Sequence, residues 1–398
     1  ILMGKTRGAG LRRVVGIGLH FPRRRGIPSN GRNRRKRHQC PFPRFDARGK
    51  GRRRGVAETK RNGRKCGKVK KILLLATGGT IASRNLGEGL TPALTAEELL
   101  GCVPEIAGVC DVVAEQVCNL DSTNMRPEHW VRIAQRVREV YGDYDGFVIT
   151  HGTDTMAYAA ACLYYLLQNT RKPVVLTGSQ ISIFERDSDA RDNLLGAFRY
   201  ASDPAACGVR VYFDGKVICG TRARKTRTRS FNAFSSVDYP TVALVRDGRV
   251  QYYIKGDVTG EERFYDRLDP NVLLVKLTPG IDAGILDYAA AHSHAVILES
   301  FGVGGIPHYD DGAFEKGIAR LQAKNVRIVV ATQVAHEGSA METYRVGYRI
   351  KEKYRLPEAY EMTTEAVLAK TMWALTVTDN AEDFYRVFET PVGNDLLV

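Results

Sequence analysis

The chain has 398 residues, 43% of them hydrophobic, and a formal net charge of +15. That is length enough for two or three domains, with the composition of an ordinary globular protein. The charge is held unevenly: residues 1–71 carry 25 Lys and Arg against Asp46 and Glu58, a net of +23, which leaves −8 on the remainder. An acidic body speaks against nucleic-acid binding by anything beyond that first segment. The apolar runs, such as Ile72–Ala76, are strand-sized and too short to cross a membrane.

Residues 1–68 are rich in Arg and Gly, with the charge blocks Arg23–Arg25, Arg34–Arg37 and Arg52–Arg54. Such a segment cannot bury a core, and a disordered basic arm is expected. It is either a non-specific nucleic-acid arm or a stretch outside the working protein, since the chain begins with Ile and a regular first strand starts only near Val69. Val14–Leu19 is too short, and too closely followed by arginines, for a secretory signal. The eight cysteines form no CxxC pair and no metal-ligand spacing with His. They read as reduced thiols of a cytoplasmic protein.

From Val69 the pattern predicts an α/β protein. Strand 71–76 enters the loop Thr77–Thr80. A helix is expected near 96–102, a strand over 109–117 that ends at Asn119–Asn124, and a helix opened by Pro127 with Trp130, Ile133, Ala134, Val137 and Val140 at helical spacing. The apolar strand 146–150 then runs into His151-Gly152, and a helix is expected from Thr153 to Leu167. Strand 173–176, helix 188–201 and strand 208–213 follow, the last with a hairpin turn at Asp214-Gly215. This alternation implies a mostly parallel sheet flanked by helices in a larger domain over 69–258. A polar linker is expected over 259–270. A smaller α/β domain is expected over 271–398, with strands near 272–277, 295–299 and 326–331 and helices near 282–291, 313–323, 364–378 and 381–388.

Ligands of open α/β sheets sit beyond the carboxyl ends of the strands, and three polar stretches follow predicted strand ends: Thr77–Thr80, Asp121-Ser122 and Thr153-Asp154. On the first turn of a helix, Thr153 and Asp154 would either cap it or face an anionic ligand or oxyanion with its free N–H groups. A fourth polar stretch, Arg224-Lys225-Thr226, lies in a basic run that by itself reads as a solvated face. No metal cluster is suggested by the eight histidines.

Ala76-Thr-Gly-Gly-Thr-Ile-Ala82 together with His151-Gly-Thr-Asp-Thr-Met156 resembles the two signature motifs of the bacterial-type L-asparaginase/glutaminase family. Pro173–Gln180, Arg191–Leu195, Phe231–Phe234 and Ser300–Gly304 continue the likeness, which runs from about residue 70 to the end and is closest to the cytoplasmic type I branch. The resemblance implies hydrolysis of the side-chain amide of L-asparagine to aspartate and ammonia, with no metal or organic cofactor. It implies Thr80 as nucleophile, Thr153 as second catalytic threonine and Lys225 hydrogen-bonded to Thr153. Asp154 would bind the substrate α-ammonium, and Asp121-Ser122 would bind substrate, with Ser122 on the α-carboxylate. His151 is structural in this reading. It also implies a homodimer or homotetramer.

The chemistry suits these residue types. A threonine hydroxyl needs a base or polarising partner, a lysine in a desolvated site can accept a proton, and N–H donors to the tetrahedral oxyanion are worth about 3–4 kcal/mol each on mutation. Two routes stay open, an acyl intermediate on Thr80 and direct attack by water activated at Thr153. The sequence departs from the family pattern at Leu90, where the lid usually carries a tyrosine, and at Gly305, where many relatives have asparagine. Tyr309 and Tyr344 follow loops expected to border the cleft and are the candidate replacements for the lid phenol. The rival functions are a glutaminase, an ammonia-supplying component of an amidotransferase and, in another class, a nucleic-acid-binding protein working through residues 1–68.

Overall fold

The computed structural model describes residues 69–85, 87 and 90–397; the expectations about the basic arm, Cys40, Cys66 and the Leu90 side chain lie outside them. The chain opens with β1 (Lys71–Gly78), a short hairpin of β2 (Ser83–Asn85) and β3 (Leu90–Pro92), α1 (Ala96–Gly101), β4 (Asp111–Leu120) and α2 (Pro127–Glu139). Then come β5 (Gly146–Thr150), α3 (Met156–Leu166), β6 (Leu167–Gln168), β7 (Val174–Thr177), α4 (Ala190–Ala201), β8 (Val209–Phe213) and β9 (Lys216–Cys219). Next are β10 (Ala223–Lys225), β11 (Phe234–Ser236), β12 (Ala243–Arg246), β13 (Arg249–Tyr252) and β14 (Arg263–Phe264). The last part holds β15 (Val272–Lys276), α5 (Ile285–His292), β16 (Ala295–Ser300), α6 (Ala313–Ala323), β17 (Arg327–Thr332), α7 (Arg345–Tyr354), α8 (Thr364–Val377) and α9 (Ala381–Glu389).

The large sheet has the strand order β13-β12-β9-β8-β7-β5-β1-β4. Its β4-β1-β5-β7-β8 portion is parallel, and β9, β12 and β13 extend it antiparallel. Strands β5, β7 and β8 are buried at every position, as expected for parallel strands covered on both faces. Edge strand β4 is only partly covered. Asp214 and Gly215 both adopt positive φ, the backbone that a two-residue hairpin needs to match strand twist.

Strand order decides where a ligand can sit. The chain leaves β1 toward β4 on one side and leaves β5 toward β7 on the other, so the connections from β1 and β5 diverge and open a crevice at the carboxyl ends of these strands. Glycines let the backbones there close up. A Cβ on Gly79 would lie 2.5 Å from Gly152 N, one on Gly152 2.6 Å from the Ser122 Cβ and Oγ, and one on Gly178 2.3 Å from His151 O. The turns after β1, β4, β5 and β7 are therefore in direct contact.

Helix α3 is buried nearly all round, as a helix between two layers must be. It packs on the large sheet on one side and on α8, itself largely buried, on the other. The hydrophobic core under the large sheet thus continues through Leu163, Tyr165 and Leu166 into Ala366, Trp373 and Phe384. The smaller parallel sheet β15-β16-β17 has its own cluster, where Val296, Leu298 and Val330 meet Leu286, Phe314 and Ile318. Segment 259–270 runs along the end of α3: β14 pairs with β6, and Tyr265 N–H donates to Leu166 O.

Two local expectations are corrected. The helix after β5 begins at Met156, not Thr153, and neither Thr153 nor Asp154 caps it. Thr155 occupies the cap position but its hydroxyl is taken by Ser122 O at 2.8 Å, so residues 153–155 stay in a turn. Helix α7 was not expected, because Arg345–Tyr354 is strongly charged and buries only Gly347 and Ile350. Among the described residues no helix is long and apolar enough to cross a membrane, and the described cysteines are unpaired.

The close approach at Gly178 is testable. Gly178→Ala forces a methyl against a fixed backbone carbonyl and should cost about 1–3 kcal/mol. Gly142→Ala, with nothing within 4 Å of its Cβ, should stay within about 0.5 kcal/mol. Urea unfolding midpoints measure both, and equal stabilities would show that the contact is not constrained.

Candidate active site

Thr80 opens a 3-10 turn directly after Gly79, whose left-handed φ of 81° places the chain there. Two hydrogen bonds hold this corner: Gly79 N–H donates to Leu120 O at 3.0 Å, and Ser83 Oγ donates to Gly79 O at 2.8 Å. Thr153 follows Gly152. Each threonine is therefore one residue beyond a glycine that touches the other glycine, which brings the two expected catalytic positions to one point. The turns are also locked by Thr77 Oγ1 donating to Thr150 O at 2.8 Å and by His151 N–H donating to Thr177 O.

His151 is fully buried, and burial pushes its imidazole down to about 4. Nδ1 lies 2.8 Å from Gly152 O, an acceptor, so Nδ1 carries the proton and the ring is neutral. Its part in this geometry is to hold the Gly152 carbonyl, in keeping with the structural role expected of it.

Lys225 is the centre of the polar cluster. Although it belongs to a basic run, it is the last residue of β10 and is half-buried, and its Nζ donates to Thr153 Oγ1 at 2.8 Å and to Asp154 Oδ1 at 2.6 Å. The Asp154 side chain is 59% exposed against 17% for Lys225, so the carboxylate faces outward beyond the ammonium. Gly220 permits this reach: its would-be Cβ lies 3.1 Å from Ala160 O, which lays the segment before β10 onto the backbone of α3.

Ser122 is buried against Gly152, and its carbonyl accepts from Thr155. Asp121 is exposed. Its Oδ1 accepts from Thr123 N–H and Thr123 Oγ1, both at 2.9 Å, capping the short turn 122–124. Lys225, Thr153 and Asp154 are thus bonded together, Ser122 packs on Gly152 beside them, Thr80 stands on the adjoining turn after Gly79, and Asp121 is at the rim. Among the candidates to replace the lid phenol, Tyr309 is turned away, its hydroxyl donating to Ile281 O at 2.7 Å. Tyr344 is mostly exposed at the start of α7.

Gln180 is a site residue that the sequence alone does not single out. Thr153 Oγ1 donates to Gln180 Oε1 at 3.3 Å, and Gln180 Nε2 donates to Ser230 O at 3.2 Å. Its backbone N–H and that of Ile181 are held by Asp189, which also accepts from Asn193 Nδ2. Burial raises the Asp189 carboxyl, while these donors oppose the rise. The available signal was position: Gln180 follows the end of β7, the strand beside β5. Thr153 therefore accepts from a lysine and donates to an amide, so both ends of its hydroxyl are assigned.

The family model described as Asparaginase, N-terminal matches residues 71–257, and that for the Glutaminase/Asparaginase C-terminal domain matches residues 271–388. The L-asparaginase of Thermococcus kodakarensis is 38% identical over 332 residues, covering 82% of this chain and 99% of that protein. The solved structure of the thermostable L-asparaginase from Thermococcus kodakarensis superposes with a TM-score of 0.76 at 37% identity over 82% of this chain and 99% of that one. A glutamyl-tRNA(Gln) amidotransferase component from Methanopyrus kandleri is 33% identical over 351 residues, covering 83% of this chain and 75% of that protein. L-asparaginase I from Vibrio cholerae has a TM-score of 0.74 at 27% identity, covering 83% of this chain and all of that one. Two family models that together span most of the residues beyond 70, with motifs meeting at one sheet switch point, establish that this chain belongs to the asparaginase family.

Proposed function

We propose that the protein is an L-asparaginase, hydrolysing the side-chain amide of L-asparagine to L-aspartate and ammonia. The observation that carries the reading is the Lys225 ammonium bonded to both Thr153 Oγ1 and Asp154 Oδ1, beside the turn that bears Thr80. In this reading Asp154 takes the substrate α-ammonium and Ser122 takes the α-carboxylate, while Asp121 stands at the rim as a further substrate-binding residue. Thr80 Oγ attacks the amide carbon. The carbonyl electron pair moves to oxygen, where N–H donors of the 152–154 turn stabilise it. The Lys225 ammonium passes a proton to the amide nitrogen and takes back the Thr80 proton relayed through Thr153, and the C–N bond breaks to release ammonia. Water then attacks the aspartyl ester, and its proton returns to Thr80 Oγ. Gln180 orients the Thr153 hydroxyl.

The similarity to glutamyl-tRNA(Gln) amidotransferase components supports a second reading, a protein that supplies ammonia to such a complex, and the same chemistry would serve a glutaminase. Ammonia release by the purified chain from Asn and from Gln, without tRNA, separates the three. Turnover of Asn with the higher kcat/KM is expected. Equal or higher kcat/KM for Gln removes the asparaginase assignment, and release that requires tRNA-linked substrate favours the amidotransferase.

The coupled contact makes a kinetic prediction. Thr153→Val and Lys225→Met should each lower kcat by about a thousandfold or more, and the double variant should lose little more than either alone, because groups acting as one unit are not additive. Losses that multiply would show that the two residues act separately.

We further infer a reducing, cytoplasmic setting, supported by the six cysteines among the described residues, which are unpaired. We also infer a homodimer or a tetramer of dimers. Light scattering at assay concentration should give a mass of two or four chains; a fully active monomer would contradict it.

A further inference from the structure

Lys225 ends a three-residue strand that is not part of the large sheet; β10 pairs with β11 in a two-stranded sheet of its own. A lysine side chain is a flexible four-carbon stem, so the ammonium can be placed accurately only if its strand is fixed. The residue just before β10 is Arg222, whose side chain has no exposure. Each of its three guanidinium nitrogens donates: Nε to Asn394 O at 2.7 Å, Nη1 to Glu361 O at 3.2 Å and Nη2 to Glu361 Oε1 at 2.9 Å. The neighbouring Thr221 carbonyl accepts from Thr363 Oγ1, which also caps α8.

The seat under Arg222 is itself held by further polar contacts. Leu397 N–H donates to Glu361 Oε1. Asn394 N–H donates to the Tyr164 hydroxyl at 3.1 Å. Asp395 accepts from Lys370 Nζ at 2.7 Å, from the Tyr165 hydroxyl at 2.9 Å and from Val392 N–H at 2.8 Å, with neither Lys370 nor Asp395 exposed. Such ion pairs add little net stability, but a planar guanidinium holding several acceptors has one permitted geometry. Segment 392–397 therefore acts as a rigid socket against α3 and α8, and Arg222 is the plug that joins it to the strand of Lys225.

We propose that Arg222, seated on Glu361 and Asn394, is a positioning residue for the reaction: it fixes β10 so that Lys225 Nζ meets Thr153 Oγ1 and Asp154 Oδ1 together. The proposal rests on the reading in which Lys225 and Thr153 move the proton. Arg222 touches no substrate, and its effect reaches the chemistry through three residues of strand. A misplacement of about 1 Å at a reacting group can cost on the order of a hundredfold.

The test replaces both charges, Arg222→Met with Glu361→Leu, so that no buried charge is left unpaired. This variant should unfold near the wild-type midpoint and keep KM for Asn within about twofold, while kcat falls by about tenfold or more, because substrate binding is left intact and proton transfer is not. If the pair does not fold, Arg222→Lys carries the test: it keeps the charge but loses the fork, and the same split is expected. Placed in a Lys225→Met background, the paired replacement should leave the residual kcat unchanged, whereas a general structural role would lower it again. A folded variant with wild-type kcat, while Lys225→Met is inactive, overturns the positioning role alone. Full activity in Lys225→Met overturns the reading beneath it as well.

Discussion

The Lys225 ammonium is the constraint on which the site depends. It is bonded at once to a nearly buried hydroxyl, Thr153, and to a mostly exposed carboxylate, Asp154. It therefore joins the water-excluding floor of the site to its open mouth. A lysine in that position does two things that no other residue type does as well: it presents a compact charge with several donors and it can exchange a proton. The remainder of the site can be understood as what is needed to bring a hydroxyl, a carboxylate and an amine from separate elements to one point.

Topology supplies most of that. The strand order puts the ends of β4, β1 and β5 side by side, and the chain diverges there, leaving a crevice. Glycine supplies the rest. Gly79, Gly152 and Gly178 let three turns touch by backbone, and a single methyl at any of them would meet an atom at 2.6 Å or closer. Side chains that follow those glycines, Thr80 and Thr153, are brought together by contact between main chains, which are stiffer than side chains. Lys225 is the exception. It arrives from β10, outside the main sheet, and its strand is held by a short ladder with β11 and by a buried arginine.

Much of this is legible in the sequence, for physical reasons that differ by element. Buried parallel strands such as Ile72–Ala76 and Gly146–Thr150 announce themselves as continuous apolar runs, and the expected bounds of α6 coincide with Ala313–Ala323 because its apolar spacing is regular. Helix α7 escapes such a reading because it is charged and covers little of the core. The start of α3 is misplaced by it because Thr153 and Asp154 look like capping residues, yet their side chains are committed to Lys225 and Gln180 instead. The basic run 222–229 is the hardest stretch: neighbouring positions prove to be a buried plug, Arg222, and a half-buried site residue, Lys225. Sequence spacing does not report such partners, since Glu361 and Asn394 lie more than a hundred residues away. Gln180 is hidden because it meets Thr153 only through the pairing of β7 beside β5.

In the proposed reaction the first covalent step falls on Thr80. An acyl intermediate leaves a direct record: intact protein quenched in acid during turnover of Asn, digested and weighed, should carry an aspartyl group on the peptide that contains Thr80. An aspartyl group on Thr153 instead, or unmodified protein throughout steady turnover, would contradict it.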